Sequence, residues 1–150
     1  MIQGTDITVL AFVFVIPSSI LHELVHMAFA KWRNVYHGFA VGLSTMTGLD
    51  VSPAFAVVLK KFDGMTTLAP LIVLTPVAVL GMYLSISMGN IVVATFFASC
   101  FVVNTVGSAG DIVTYVLNVG GKRYTLGFAG YVYSNGEVMK VVNWKNINKR

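Results

Sequence analysis

His22-Glu23-Leu24-Val25-His26 sets two imidazoles four residues apart with a carboxylate beside the first. On an α-helix, residues i and i+4 share a face, so the two rings come close enough to hold one metal ion. Glu23 sits one residue round, placed to take a proton from water on that metal without being a ligand, and then to pass it to a leaving amine. A metal in such a site brings the pKa of bound water toward about 7 and so supplies hydroxide at neutral pH. That is hydrolytic chemistry. Accident is a poor explanation: with three His and two Glu in 150 residues, random placement yields the pattern about 0.0008 times.

A catalytic zinc takes three protein ligands and keeps one position open. Candidates for the third are Asp111, Asp50, Asp63, His37 and Glu137. His37 comes eleven residues after His26, which does not match the short metzincin spacing. Asp50, Asp63 and Glu137 lie outside the long apolar runs and read as solvated loop charges. Asp111 is the only other ionisable group inside such a run. It belongs to a polar stripe at helical spacing, Cys100, Asn104, Ser108, Asp111 and Tyr115, and Ser18, His22 and His26 form a matching stripe, so the two faces are expected to meet. Measured from Lys31, His22 and His26 lie about 13 and 8 Å deep, and Asp111 lies about 13 Å from Gly120, at 1.5 Å per residue. The competing reading of Asp111 is a helix-packing hydrogen bond or a partner that orients a histidine. Asn104 is placed to donate to the oxyanion of a tetrahedral intermediate or to hold the substrate backbone, and helix packing explains it almost as well. Cys100 and Tyr115 read as packing residues. Two His, a carboxylate and an open site suit zinc, although iron(II) accepts similar ligands.

The elements that must position these groups follow from hydropathy. The chain is 56% hydrophobic and 11% charged, with mean hydropathy +0.78, where soluble domains carry about a quarter charged residues. Residues 64–88 hold no charge, 91–119 hold only Asp111, and 7–30 hold only Glu23 beside the two histidines. Each run exceeds the roughly 20 residues that cross a bilayer as a helix. The expected fold is therefore an α-helical membrane protein of one domain, 1–150, with spans at about 7–30, 64–88 and 91–119 and a tail at 120–150. Pro17 is expected to kink or open the first span, and Pro70 and Pro76 to bend the second. Residues 36–60, broken by Gly38, Gly42, Gly48 and Pro53, read as a membrane-associated β hairpin between the first two spans. Tyr124–Ser134 and Glu137–Asn143 flank Asn135-Gly136 and read as a second hairpin, packed on the membrane face or paired with 36–60.

All ten basic residues fall between spans one and two or after span three. The positive-inside rule then sets the N-terminus outside and the C-terminus in the cytoplasm, as a multi-pass protein of the cell membrane. The first run lacks the basic leader and small-residue cleavage site of a signal peptide. A single cysteine, Cys100, excludes an internal disulfide. The net charge of +4 follows from this sorting, and without a basic stripe interleaved with aromatics nucleic acid is not an expected partner.

An HExxH motif in one membrane helix with a distal Asp in a later one resembles the site-2-protease type of intramembrane zinc peptidase. HELVH, a glycine- and proline-broken β segment, and Gly107-Ser108-Ala109-Gly110-Asp111 look closest to the small zincin peptidases related to that group. The resemblance covers the three spans and the intervening hairpin. It implies zinc ligation by His22, His26 and Asp111, Glu23 as base, a cytoplasm-facing site, and membrane-embedded or membrane-adjacent polypeptides as substrates. Site-2 proteases carry an Asn, a Pro three residues on, and Asp-Gly at the ligand; here Gly107 replaces the proline and Ile112 follows Asp111. The 36–60 segment is expected to offer an edge to which an extended substrate adds as a strand. Two other classes use the same residues: a non-catalytic adaptor or sensor that retains the metal, and a metal or proton transporter.

Overall fold

The structure is a computed structural model describing residues 4–45, 52–119, 127–135 and 137–141. Three apolar helices are long enough to cross a membrane: α1 at Gly4–Trp32, α2 at Gly64–Ser87 and α3 at Ile91–Val119. The spans expected from the length of the charge-poor runs lie within three residues of these bounds. Pro17 does not interrupt α1, which stays helical through it. The proline leaves the Val13 carbonyl without its helical donor, and close by Ser19 Oγ donates to the Val15 carbonyl one turn back, at 2.8 Å.

Both ends of α2 and the start of α3 are closed locally. Asp63 caps α2: its carboxylate accepts from the Thr66 amide at 2.9 Å and the Thr66 hydroxyl at 2.8 Å, and Arg33 reaches it at 3.2 Å. Burial pushes the Asp63 carboxyl up, but the two Thr66 bonds and the Arg33 guanidinium outweigh it and hold it below its ordinary range. Gly89, at φ +70°, turns the chain after α2. Asn90 then opens α3, its Oδ1 accepting from the Val93 amide at 3.2 Å. The α2–α3 connection is thus short enough to force the two helices antiparallel.

Small residues let the helices approach closely. Ala69, Ala78, Ser85, Ala94, Ser99 and Cys100 are buried between them, the composition expected where lipid removes any hydrophobic reason to associate. Large side chains point the other way: Phe12 is 72% exposed, Ile16 68% and Val106 71%. An apolar exterior around a small-residue, polar interior marks a protein whose solvent is the bilayer.

Two hairpins merge into one antiparallel sheet. Strands β1 (Tyr36–Thr45), β2 (Ser52–Leu59), β3 (Gly127–Ser134) and β4 (Glu137–Val141) stand in the order β2-β1-β3-β4. Of the two placements expected for the tail, pairing with the first hairpin is the one observed, with Phe39 opposite Tyr133 and Gly42 opposite Gly130. Asn135, at φ 51°, follows Ser134 in the turn expected there. Since β1 and β2 follow α1 while β3 and β4 follow α3, the sheet ties the first connection and the tail to one end of the helices. Residues 46–51, 120–126 and 142–150 lie outside the described residues, among them Asp50, Gly48, Tyr124 and Asn143.

Candidate metal centre

The rungs of the site run along the facing polar stripes of α1 and α3. Ser18 Oγ and Cys100 Sγ are 3.2 Å apart, and His22 Nδ1 lies 2.9 Å from Asn104 Oδ1. One rung further, Asp111 Oδ2 lies 3.4 Å from His22 Nε2 and 3.2 Å from His26 Nε2. The two imidazoles stand edge to face, 4.9 Å between centroids. His22 and His26 are buried, and the Asp111 side chain is 19% exposed.

Hydrogen bonding fixes which nitrogens carry protons. Asn104 Nδ2 donates to the Pro70 carbonyl at 3.2 Å and to Thr75 Oγ1 at 2.9 Å, so its oxygen is the atom facing His22. His22 Nδ1 must then be the donor. His26 Nδ1 meets the Thr66 carbonyl at 2.8 Å, which only accepts, so it too carries the hydrogen. In neutral imidazoles both Nε2 atoms are therefore bare lone pairs. They face Asp111 Oδ2, a buried oxygen with no hydrogen-bond partner among the described residues. Three electron-rich atoms meet with no hydrogen between them, an arrangement that repels itself until a cation sits among them.

Spacing agrees with that requirement. Ligand atoms at about 2.05 Å from a tetrahedral metal stand about 3.3 Å from one another, and the two nitrogen–oxygen separations are 3.4 and 3.2 Å. Two neutral imidazoles and a carboxylate, each imidazole held through its other nitrogen, are a donor set that fits zinc. A Glu23 oxygen also lies within 4.8 Å of the histidine ligand atoms. Its Oε2 accepts from the Val57 amide of β2 at 3.0 Å. Among the described residues β2 is an edge strand, so that amide points away from the β1 ladder and toward Glu23.

Four supporting groups had no clear signal in the polar pattern. Thr66 O would ordinarily accept from the amide four residues on, but residue 70 is a proline and has no N–H. Pro70 thereby leaves a carbonyl for His26, and its own carbonyl holds Asn104. Thr75 completes the Asn104 set from the next turn of α2. Gly107 faces the His22 ring so closely that an added Cβ would lie 2.8 Å from Cε1. Gly110, by contrast, has open space at the same position. A proline four residues past Thr66 and a glycine among the α3 polar positions were readable signs; the packing they serve was not.

Other expected groups fall elsewhere. Asn104 has its polar atoms engaged by His22, Pro70 and Thr75. Asp63 is the α2 cap, as the pattern Asp63-Gly64-Met65-Thr66 before an apolar run can signal. His37 sits at an irregularity of β1, its carbonyl taken by Ser134 Oγ at 2.6 Å. Glu137 pairs with Ser134 in the β3–β4 hairpin. Tyr115 packs on Phe62 and against Gly64. Ser108 Oγ is buried on the α3 face and, like Asp111 Oδ2, has no partner among the described residues.

A family model described as "Putative zincin peptidase" matches residues 13–125. The match takes in α1 from Val13, both strands of the first hairpin, α2 and α3, and hence every residue of the cluster. No curated protein and no solved structure matches the chain. The chain belongs to that family, which makes zinc its expected metal and peptide hydrolysis its class of chemistry.

Proposed function

We propose that this member of the zincin peptidase family is an intramembrane endopeptidase of the site-2-protease type, hydrolysing peptide bonds of membrane-embedded or membrane-adjacent polypeptides. The observation that carries the reading is the convergence of His22 Nε2, His26 Nε2 and Asp111 Oδ2 inside a bundle of three span-length helices. These three residues would hold zinc. The zinc would supply Lewis acidity and a nucleophile at neutral pH. Glu23 takes the proton of the attacking water and delivers it to the leaving amine. Asn104 and the Thr66 carbonyl hold the two imidazoles in the tautomer that leaves Nε2 free.

Peptide bonds inside an intact helix are shielded, so a substrate has to be extended before attack. The free edge of β2 beside Glu23 suits an extended chain, with the Val57 amide as a donor that a substrate carbonyl takes over from Glu23. Introducing charge along this strand, for example Val57→Asp, is expected to depress cleavage; unchanged cleavage would remove the strand from substrate docking. In the sequence all ten cations fall between α1 and α2 or after α3, which supports an N-terminus outside and a cytoplasmic active site.

The test is co-reconstitution in proteoliposomes with a panel of single-span polypeptides, with fragments read by mass spectrometry. Cleavage within or next to the span, lost in Glu23→Gln and on chelation, is expected. Cleavage of soluble polypeptides alone would overturn the intramembrane reading. A Glu23→Gln variant with full cleavage would remove the base.

A further inference from the structure

A half-open cleft of about 110 Å³ lies beside Glu23, lined by Ile20, Glu23, Leu24 and Met27 of α1 with Phe39 and Phe55 of the sheet. Among the described residues lining it Glu23 is the only polar one, and the same side chain faces His22 and His26. The two phenylalanines come from diagonal positions of the β1–β2 ladder, since Phe39 pairs with Val57 and Val41 with Phe55. Their rings lie 6.2 Å apart and form the sheet wall of the cleft. Ile20 and Leu24 are 46% and 49% exposed on the apolar outside of α1. The cleft is therefore bordered by the lipid-facing surface on one side and by the proposed base on the other.

We propose that this cleft is a substrate subsite receiving a medium-sized aliphatic side chain, such as Leu or Met, from the residue next to the scissile bond. The inference rests on the zinc-peptidase reading and adds what that reading does not contain, the chemical class of the residue at the cut. Three observations select the occupant. An extended chain on the β2 edge takes the Val57 amide at the position where Glu23 now binds it, and successive side chains of a strand point to opposite faces. One face there is this cleft. Its lining offers no partner to an anionic or amide side chain. Its volume is also below the ~150 Å³ of a dry apolar cavity that admits benzene, which leaves room for a branched or linear aliphatic group and not for an indole.

Peptidyl hydroxamates test this without requiring turnover, because the hydroxamate group binds the metal and the side chain alone is varied. The zinc-loaded full chain in detergent is titrated calorimetrically with hydroxamates bearing methyl, isobutyl, carboxymethyl, 4-aminobutyl and indolylmethyl groups. The isobutyl compound should bind about 50-fold tighter than the methyl one, at roughly fourfold per buried carbon, and the carboxymethyl and indolylmethyl compounds should show no gain. Phe55→Trp, which fills the cleft, should remove the isobutyl advantage while leaving zinc content unchanged. Phe55→Ala should let the indolylmethyl compound bind. Equal affinity for methyl and isobutyl compounds, or tightest binding of the 4-aminobutyl compound through Glu23, overturns the subsite while the metal reading stands. Failure of every hydroxamate, the methyl one included, overturns the zinc reading and the subsite with it.

Discussion

Replacing Asn104 by Ala removes a side chain that is 1% exposed and makes three hydrogen bonds, to His22 Nδ1, the Pro70 carbonyl and Thr75 Oγ1. At about 1 kcal/mol net per bond, the stability cost is on the order of 3 kcal/mol. The effect on the metal is more telling. His22 Nδ1–H loses its acceptor, so the ring can rotate or change tautomer and Nε2 no longer faces Asp111 Oδ2. Loss of such a supporting partner typically lowers metal affinity about 10–100-fold. Competition of the purified protein with a chromophoric zinc chelator measures this directly, with thermal unfolding recorded on the same sample. An oxyanion donor would behave otherwise, leaving zinc affinity intact and lowering kcat about 10²–10³-fold. Wild-type zinc affinity in a folded Asn104→Ala protein would refute the positioning argument.

Gly107→Ala drives a methyl into the His22 ring and should lower zinc affinity at least tenfold, while Gly110→Ala meets open space and should be neutral or slightly stabilising; the same chelator titration separates them, and equal effects would contradict the close approach. Pro70→Ala restores an amide that competes with His26 for the Thr66 carbonyl. A loss of zinc affinity of a few fold, smaller than that of Asn104→Ala, is expected because a carbonyl has two lone pairs. Asp63 titrates below its ordinary value in the fold, so its charge contributes stability above an unfolded pKa of about 3.9, and that contribution is lost as pH falls through the lower folded value. Asn caps a helix about as well as Asp, so Asp63→Asn should be less stable than wild type at neutral pH by up to about 1 kcal/mol. Unfolding curves of the two proteins should converge as pH falls through the lowered folded value of Asp63; a constant gap across pH would contradict the charge effect.

Most of this architecture was legible in the sequence because a bilayer imposes simple rules. Charge-poor runs long enough to span marked α1, α2 and α3 to within three residues, and Asn135-Gly136 marked the β3–β4 turn. Two stripes at helical spacing and equal depth led to the expectation that the polar faces of α1 and α3 meet with the histidines near Asp111, while the particular pairs Ser18–Cys100 and His22–Asn104 were not foreseen. Backbone groups were harder to foresee. The Thr66 carbonyl and the Val57 amide have no side-chain signature, and their availability depends on Pro70 in one case and on an edge position in the other. Asn104 was recognisable as important without its partners, because Thr75 and the Pro70 carbonyl lie on a helix whose sequence shows no polar stripe. The merging of two hairpins into a single sheet was one of two open possibilities, since each hairpin alone satisfies the local pattern and only the paired sheet covers both inner edges.

The central claim is that His22, His26 and Asp111 together hold one zinc ion. Zinc content of the purified protein in detergent, measured for wild type beside His22→Ala and Asp111→Ala, tests it most directly. The account predicts close to one zinc per chain in wild type and loss from both variants. No bound metal in wild type after exchange with zinc under non-chelating conditions, or full retention in Asp111→Ala, would contradict it.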